Sequence, residues 1–317
     1  MIQPAAAANR PMSARDWSRL VMLSVVWGGS FLFIGVAVKE IPPLVIVTVR
    51  VMLAASALWI VLLMSGVTPP RGLDQWRALL GMALLNNAVP FSLFAWAQAH
   101  IPSSVASILN ATTPLFLVLV AHVFTGDEKM SAGRLFGVLA GFFGVSVMLG
   151  AAPTLGSGIE VLAEVACLAA ALCYAFSNVY GRRFKPMGVQ PLAIAAGQLT
   201  MSSLVLLPIT LVVSPPWALP PASPLAWACV AALALPSTAF AYVLFFRLLA
   251  SAGATNLGLV TFLIPVTAVM LGVTLLGEEL ATRHVAGMGL IALGLAAIDG
   301  RPWKRVSGLL TPRPSAR

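Results

Sequence analysis

The sequence predicts an all-α membrane protein, with ten transmembrane helices arranged as two inverted five-helix repeats. Three observations carry this prediction: the composition, an internal duplication and ten separate apolar runs. Of the 317 residues, 59% are hydrophobic and only 9% are charged, whereas a soluble domain has roughly a quarter of its residues charged. A chain with so few polar groups cannot cover its surface in water, so we expect it to fold in a lipid bilayer.

The first half of the chain recurs in the second half at an almost constant offset. Pairs related by adding 151 are Trp76/Trp227, Pro114/Pro265, Gly126/Gly277 and Glu128/Glu279. Further along, the pairs Gly137/Gly287 and Gly144/Gly294 match at an offset of 150. The duplication predicts one repeat at residues 1–150, a second at 151–300, and a basic tail at 301–317.

Ten apolar runs are long enough to cross a bilayer, which requires about 20 residues of helix for roughly 30 Å of hydrocarbon. We place them at residues 17–38, 42–65, 74–98, 102–124, 131–150, 158–181, 189–213, 223–247, 253–276 and 283–300. The breaks between the runs contain Pro and Gly, as in residues 68–72 and 153–158, which is the composition of turns.

The positive charges predict the orientation. All but three of the 19 Lys and Arg residues lie near the termini or in alternate loops, the exceptions being Lys39, Arg50 and Arg283. The positive-inside rule then places both termini in the cytoplasm. Five helices in each repeat is an odd number, so the second repeat must enter the membrane from the opposite side. Such inverted repeats are typical of secondary transporters, with a substrate site near the bilayer midplane between the halves.

Polar side chains occur at matching depths within the repeats. Asn86 and Asn87 of the third span correspond to Ser237 and Thr238 of the eighth, and Asn110 lies in the fourth. Because polar groups within a bilayer are costly and tend to face a cavity, we predict that these five bind substrate. Hydrogen bonding between helices, worth only about 0.6 kcal/mol on average, uses the same residue types and explains them equally well.

Aromatic residues lie on the same helices, and we add Trp27, Phe91, Phe94, Tyr174 and Tyr242 to the predicted substrate site. Phe91 and Tyr242 are equivalent in the two repeats, and each lies one turn beyond the polar pair. A cavity with aromatic walls and amide groups suits a ligand that has both a ring and polar ends. The alternative is packing or contact with lipid, which is the more common role of aromatic stripes on helices.

Arg50 lies well inside the second predicted span. It can bind a substrate carboxylate, but we favour a structural role, because an intramembrane arginine usually has a fixed partner. Glu164 is a candidate partner. Pro114 and Pro265 lie within helices at equivalent positions and are predicted hinges for gating, with a fixed bend as the alternative.

Two further motifs are predicted to be structural. Gly126-Asp127-Glu128 and Gly277-Glu278-Glu279 follow the fourth and ninth spans, where the glycine ends one helix and the acids cap the next. Glycines recur in the fifth and tenth spans at spacings that let helices approach closely. We expect this packing within one subunit and therefore a monomer, with a dimer as the alternative.

These features resemble the EamA family of the drug/metabolite transporter superfamily. The residues that carry the resemblance are the two Pro…Gly-acid-acid motifs, the stretch Trp27-Gly28-Gly29-Ser30-Phe31, and Arg50. The resemblance covers nearly the whole chain and implies a metabolite exporter of the cytoplasmic (inner) membrane, and within the family we expect a YddG-type amino-acid exporter. The family motifs are structural, so they imply the fold more strongly than the substrate.

The sequence contains no phosphate-binding loop for ATP and no clustered histidines, so we predict a non-enzyme without a metal or cofactor. Its partners would be the lipid bilayer and a small-molecule substrate, and not nucleic acid. We predict a secondary transporter that exports amino acids, particularly aromatic ones, and related metabolites by alternating access. The alternatives are another cargo (a sugar, a nucleotide precursor or a cationic drug), a channel, or a non-transporting scaffold. No acid or histidine lies at the predicted midplane, so facilitated export fits at least as well as proton exchange.

Overall fold

The computed structural model describes residues 12–126, 130–149 and 158–299. The predicted tail at 301–317 and the residues Asp127 and Glu128 lie outside these ranges. Within them the chain forms helices and no strands, and ten apolar helices follow one another in the predicted order. We number them α1 (Ala14–Ala37), α2 (Pro43–Met64), α3 (Leu73–Ala97), α4 (Ser103–Phe124), α5 (Ala132–Leu149), α6 (Gly158–Gly181), α7 (Pro191–Val213), α8 (Pro224–Gly253), α9 (Val260–Leu276) and α10 (Thr282–Asp299).

Seven of these helices are long and apolar enough to cross a membrane, namely α1 to α4 and α6 to α8. The other three, α5, α9 and α10, are apolar but shorter. The predicted all-helical membrane architecture is therefore confirmed for the described residues. The number of membrane crossings and the inversion of the second half stay predictions.

Local sequence explains most helix boundaries. Proline occupies the first position of α2, α7 and α8, where its missing N–H costs nothing and its fixed φ suits a helix. Gly277 ends α9 in the left-handed region, with φ 66°. Gly253 ends the regular part of α8 with φ 79°, a conformation that other residues rarely adopt. Helix resumes over residues 254–257 directly after Gly253, so the ninth span starts close to residue 253 as predicted. A turn at Gly258 and Leu259 then interrupts it before the main segment, which begins at Val260.

Both α3 and α8 contain a wider π-helical turn at the same place in the duplication. The turns are Leu84–Ala88 in α3 and Leu235–Phe240 in α8, and Leu84 corresponds to Leu235 at the offset of 151. A proline lies close to each turn, at Pro90 and Pro236, and removes one helical hydrogen bond. Such turns frequently mark functional sites, because the helix changes register there and leaves backbone groups to be satisfied by side chains.

Helix pairing is symmetrical when the two halves of the chain are exchanged. The chief pairs are α1 with α9 and its counterpart α6 with α4, together with α2 with α7 and α5 with α10. Glycines bring α5 and α10 into backbone contact. There the Cβ of a residue replacing Gly144 would lie 2.8 Å from the carbonyl oxygen of Gly287, and that of one replacing Gly137 would lie 2.5 Å from that of Gly294. The predicted packing of the glycines within the chain is thus observed.

The buried apolar side chains form two main clusters. One contains Leu20, Leu109 and Leu248 and joins α1, α4 and α8, whereas the other joins α2, α7 and α8 through residues such as Ile46 and Leu199. Tyr174 of α6 packs against both clusters. The candidate site lies at this junction.

Candidate functional site

A hydrogen-bonded polar cluster joins both halves of the chain inside the helical bundle. The Tyr242 hydroxyl accepts hydrogen bonds from the side-chain amides of Asn86 (3.0 Å), Asn87 (3.2 Å) and Gln198 (3.1 Å). Ser177 donates to Oδ1 of Asn86 at 3.1 Å, and Asn86 also donates to Oε1 of Gln198 at 3.2 Å. We call these five residues the polar cluster. They come from α3, α6, α7 and α8, so the predicted residues Asn86, Asn87 and Tyr242 do meet.

The π-helical turns place these side chains. Asn86 and Asn87 lie within the turn of α3, and Ser237 and Thr238 lie within that of α8. The Thr238 hydroxyl donates to the Leu233 carbonyl at 2.7 Å and so satisfies a backbone group at the turn. Both turns therefore direct polar residues into the bundle in place of a regular helical surface.

Arg50 is buried beside the polar cluster, with 6% of its surface exposed. Its Nε donates to Oγ1 of Thr238 at 2.9 Å, and its guanidinium lies 3.8 Å from the centre of the Phe91 ring. It forms no ion pair with Glu164, and no carboxylate among the described residues lies within salt-bridge distance. The predicted Glu164 partner is therefore wrong, because α2 packs chiefly against α3, α7 and α8.

The predicted aromatic residues border the same region. Phe94 of α3 stacks on Tyr174 of α6 with ring centres 6.1 Å apart and an interplanar angle of 21°. Phe31 approaches the edge of Phe94 at 5.8 Å. Trp27 contacts Phe245 instead, at 5.7 Å, and so reaches a different aromatic group on α8. Phe91 thus lies against Arg50 and Tyr242 belongs to the polar cluster itself. Phe94 and Tyr174 pair with each other, and Trp27 pairs with Phe245.

Some polar atoms in and near the site have no partner. Oδ1 of Asn87 and Oγ of Ser237 make no hydrogen bond. Bulk water cannot replace the missing partner, because these residues are only 0% and 1% exposed. Oδ1 of Asn110 is likewise buried and unpartnered, but no hydrogen bond links Asn110 to the polar cluster. An unsatisfied buried polar atom costs about 1–3 kcal/mol, so each is a place where a ligand can donate.

The two predicted hinge prolines lie in different surroundings. Pro114 follows a break in α4, where Ala111 and Thr112 form a turn between the helical segments Ser103–Asn110 and Thr113–Phe124. Pro265 lies inside an uninterrupted stretch of α9. The second half has its own break at Gly258 and Leu259, which lies further from its proline than the break in α4 does. The gating role of both prolines stays a prediction.

Gln198 and Ser177 belong to the polar cluster but were not among the predicted site residues. Both are polar residues within otherwise apolar helices, and both are buried, with 2% and 1% of their surface exposed. The same signal that selected Asn86, a polar side chain in mid-span, was present for them in the sequence. It was missed because both residues lie outside the matched stretches 76–150 and 227–300, so the duplication did not single them out.

Two carboxylates hold helix N-termini at the predicted outer end of the bundle. Glu278, in the loop between α9 and α10, accepts hydrogen bonds from the backbone N–H groups of Ser103 (2.7 Å) and Ser104 (3.0 Å) at the start of α4. Burial raises the pKa of Glu278, but its contacts with Ser104 and Ser103 outweigh that effect and lower the pKa below its ordinary value. We expected this acid to cap the next helix, α10, and it caps α4 instead.

The second carboxylate, Glu40, lies in the loop between α1 and α2. It accepts hydrogen bonds from the backbone N–H of Ser223 (2.6 Å) and from its hydroxyl (2.8 Å), at the start of α8. These bonds, the backbone one above all, lower the pKa of Glu40. Both loops therefore tie one half of the chain to the other at the same end of the bundle.

A cavity of about 330 Å³ lies towards the predicted cytoplasmic end, between α3, α4 and α6. Its lining is mostly apolar and includes Leu85, Phe124 and Phe176, together with Tyr180 and Arg183. The guanidinium of Arg183 lies 3.4 Å from the centre of the Tyr180 ring. None of the predicted substrate-binding residues lines this cavity.

The apolar helices, the buried polar cluster that links both halves, and the buried Arg50 together define a polytopic membrane protein with an internal polar site. Comparison with known proteins gives the family. The EamA-like transporter family matches residues 18–150 and again residues 161–298. The chain therefore belongs to the EamA-like transporter family.

Individual relatives agree with this assignment. The chain is 30% identical to the "Uncharacterized inner membrane transporter YedA" of Escherichia coli (strain K12), with 88% of this chain and 89% of that protein covered. It is 24% identical to the "Uncharacterized transporter YoaV" of Bacillus subtilis (strain 168), covering 87% and 94%. It is also 24% identical to a "Probable amino-acid metabolite efflux pump" of Escherichia coli (strain K12), covering 93% and 98%.

A solved structure described as "Crystal structure of protein" has the same fold. It superimposes with a TM-score of 0.65 over 93% of this chain and 99% of that one, at 19% sequence identity. A likeness at this identity supports the fold alone.

Proposed function

We propose that this protein is a secondary transporter that exports amino acids, preferentially aromatic ones, across the inner membrane by alternating access. The observation that carries the proposal is the polar cluster, which joins Asn86 and Asn87 of the first half to Gln198 and Tyr242 of the second. A site built from both halves changes its exposure when the halves move relative to each other, as alternating access requires.

The proposed inversion of the halves has support from the helix pairing. The pairs α1–α9 and α4–α6 exchange when the halves are exchanged, and the π-helical turns occur at corresponding positions. A pseudo-two-fold axis in the membrane plane would relate the halves in this way. The axis would pass near the α2–α7 and α5–α10 contacts, because exchanging the halves turns each of these pairs into itself.

The preference for aromatic amino acids follows from the surroundings of the polar cluster. Amide and hydroxyl groups are suited to polar substrate ends, while the Phe94–Tyr174 stack offers a flat apolar wall. The relative named a probable amino-acid metabolite efflux pump supports the same substrate class.

Counterflow of labelled phenylalanine and tryptophan into proteoliposomes tests the proposal, with and without a pH gradient. We expect saturable flux that falls strongly in Asn86→Ala, which removes three hydrogen bonds from the polar cluster. Asn178→Ala is the matched control, because Asn178 is exposed on α6 and bonds only to the Tyr174 carbonyl. No flux of either amino acid through folded protein would refute the substrate class, and a requirement for the pH gradient would exclude facilitated export.

A further inference from the structure

We propose that Arg50 binds the carboxylate of the transported amino acid and that Oδ1 of Asn87 accepts a hydrogen bond from its ammonium group. This assignment rests on the proposed function and deepens it, since it gives the two charged ends of the substrate separate positions. It also replaces the structural role that the sequence favoured for Arg50.

The charge of Arg50 is not balanced within the described residues. Its observed neighbours are a neutral hydroxyl, Oγ1 of Thr238, and the face of the Phe91 ring. Only Nε has a hydrogen-bond partner, so the N–H groups of the two terminal nitrogens remain available. A buried, uncompensated cation is costly in a membrane protein and marks a functional position. The terminal nitrogens form the planar fork that binds a carboxylate through two parallel hydrogen bonds.

The polar cluster supplies no charged acceptor for Arg50. The Tyr242 hydroxyl already receives three amide N–H groups. No Asp or Glu belongs to the polar cluster as defined above. Such a set of groups favours an anion over a neutral or cationic ligand end, because the ligand supplies the acceptors that the protein lacks.

The one acceptor without a partner in the polar cluster is correctly placed for an ammonium group. Oδ1 of Asn87 is buried and makes no hydrogen bond, and Asn87 lies one helical turn before Phe91, on whose ring the guanidinium lies. Asn87 bonds to Tyr242 and Arg50 bonds to Thr238, so both side chains contact the same part of α8. The carboxylate and ammonium of an α-amino acid are attached to the same carbon, so one molecule can contact both Arg50 and Asn87.

Three competitors of labelled phenylalanine counterflow separate the two contacts. Phenylalanine has both charged groups, phenethylamine lacks the carboxylate, and 3-phenylpropanoate lacks the ammonium. In the wild type we expect phenylalanine to inhibit the labelled flux at a concentration roughly 10- to 100-fold lower than phenethylamine does. This factor corresponds to the energy of a hydrogen bond to a charged group. Arg50→Gln should abolish this preference for the carboxylate. Asn87→Leu should instead reduce the preference for phenylalanine over 3-phenylpropanoate by roughly 10-fold.

The matched control is Thr48→Val, two residues before Arg50 on the same helix. It removes a buried hydrogen bond of 2.6 Å to Thr210 of α7 without touching the polar cluster. A purely structural Arg50 would behave like Thr48, with all three competitors affected alike. Arg50→Lys keeps the charge and serves where the Gln variant does not fold. Because lysine lacks the planar fork, we expect this variant to reduce competition by phenylalanine roughly 3- to 10-fold more than competition by phenethylamine.

The outcomes distinguish this assignment from the proposed function. Wild-type flux of phenylalanine with the same preference for the carboxylate in both Arg50 variants would overturn the assignment and leave the proposed function intact. Absence of amino-acid flux in folded wild-type protein would overturn both. Loss of the preference in the Arg50 variants, with Thr48→Val unchanged, would support the assignment.

Discussion

Replacing Glu278 with glutamine should destabilise the protein at neutral pH, and the effect should disappear in acid. The two carboxylate oxygens accept the Ser103 and Ser104 N–H groups at 2.7 and 3.0 Å. Glutamine has a single oxygen, so one bond is lost and the other loses its charge assistance. A hydrogen bond to a charged group is worth about 1.5–3 kcal/mol and a neutral one about 0.5–1.5 kcal/mol. Because Glu278 is partly exposed, we expect a loss of about 2 kcal/mol.

The pH dependence follows from the direction of the pKa shift. The pKa of Glu278 is lower in the folded protein than its ordinary value of 4.5. A carboxyl with a lowered folded pKa stabilises the protein fully above its unfolded pKa, and that stabilisation is lost as the pH falls through the folded pKa. The difference in stability between the wild type and Glu278→Gln should therefore be constant above about pH 5 and narrow below 4.5.

Thermal unfolding of purified protein in detergent, from pH 7 down to pH 3.5, measures this difference. At pH 7 we expect Glu278→Gln to lower Tm by about 4 °C. Glu279→Gln is the control, because Glu279 is the adjacent residue of the same loop, is exposed, and makes no hydrogen bond in the structure. Equal Tm values for the two variants at pH 7 would refute the role of Glu278 at the α4 N-terminus. So would a difference in Tm between the wild type and Glu278→Gln that stays the same in acid.

Three further substitutions test the packing and the polar cluster. Tyr242→Phe removes the hydroxyl that accepts three amides, so it should cost about 1–3 kcal/mol of stability and reduce counterflow; unchanged Tm and flux would contradict it. Gly144→Leu should lower the free energy of unfolding by about 1–3 kcal/mol, because the new side chain forces α5 away from α10. Gly133→Ala should be tolerated, because its Cβ would meet nothing within 4 Å. Gly28→Ala should lower Tm because its Cβ would collide with a threonine on α9, while Gly29→Ala, with its nearest atom at 3.7 Å, should not. Equal Tm values within either glycine pair would count against the packing described.

The order and extent of the helices were predictable because each depends on local composition. Apolar runs of about 20 residues between Pro- and Gly-rich breaks specify helices in lipid. The start of the ninth span near residue 253 was predicted, but the turn at Gly258 and Leu259 that interrupts it before Val260 was not. Its conformation depends on the surrounding packing, which the sequence does not display.

The candidate site was predictable in part, for a related reason. Asn86, Asn87 and Tyr242 were selected because the duplication places polar and aromatic residues at matching depth, and they meet in the structure. The partner of Arg50 was not predictable, because it depends on which helices pack against α2. The π-helical turns were also missed. A periodicity of 3.6 residues assumes a regular helix, and Pro90 and Pro236 change the register just where the polar residues lie.

The contact between α5 and α10 has a mechanical consequence for any motion of the two halves. Gly144 and Gly287 approach backbone to backbone, and neither residue has a side chain that could rearrange to accommodate sliding. Each helix belongs to a different half, and the pair is its own counterpart in the symmetrical arrangement. If the halves rock, relative displacement must be smallest along this line and must grow with distance from it. The α5–α10 seam would then act as the pivot, while the polar cluster and the Glu278 loop move through larger arcs.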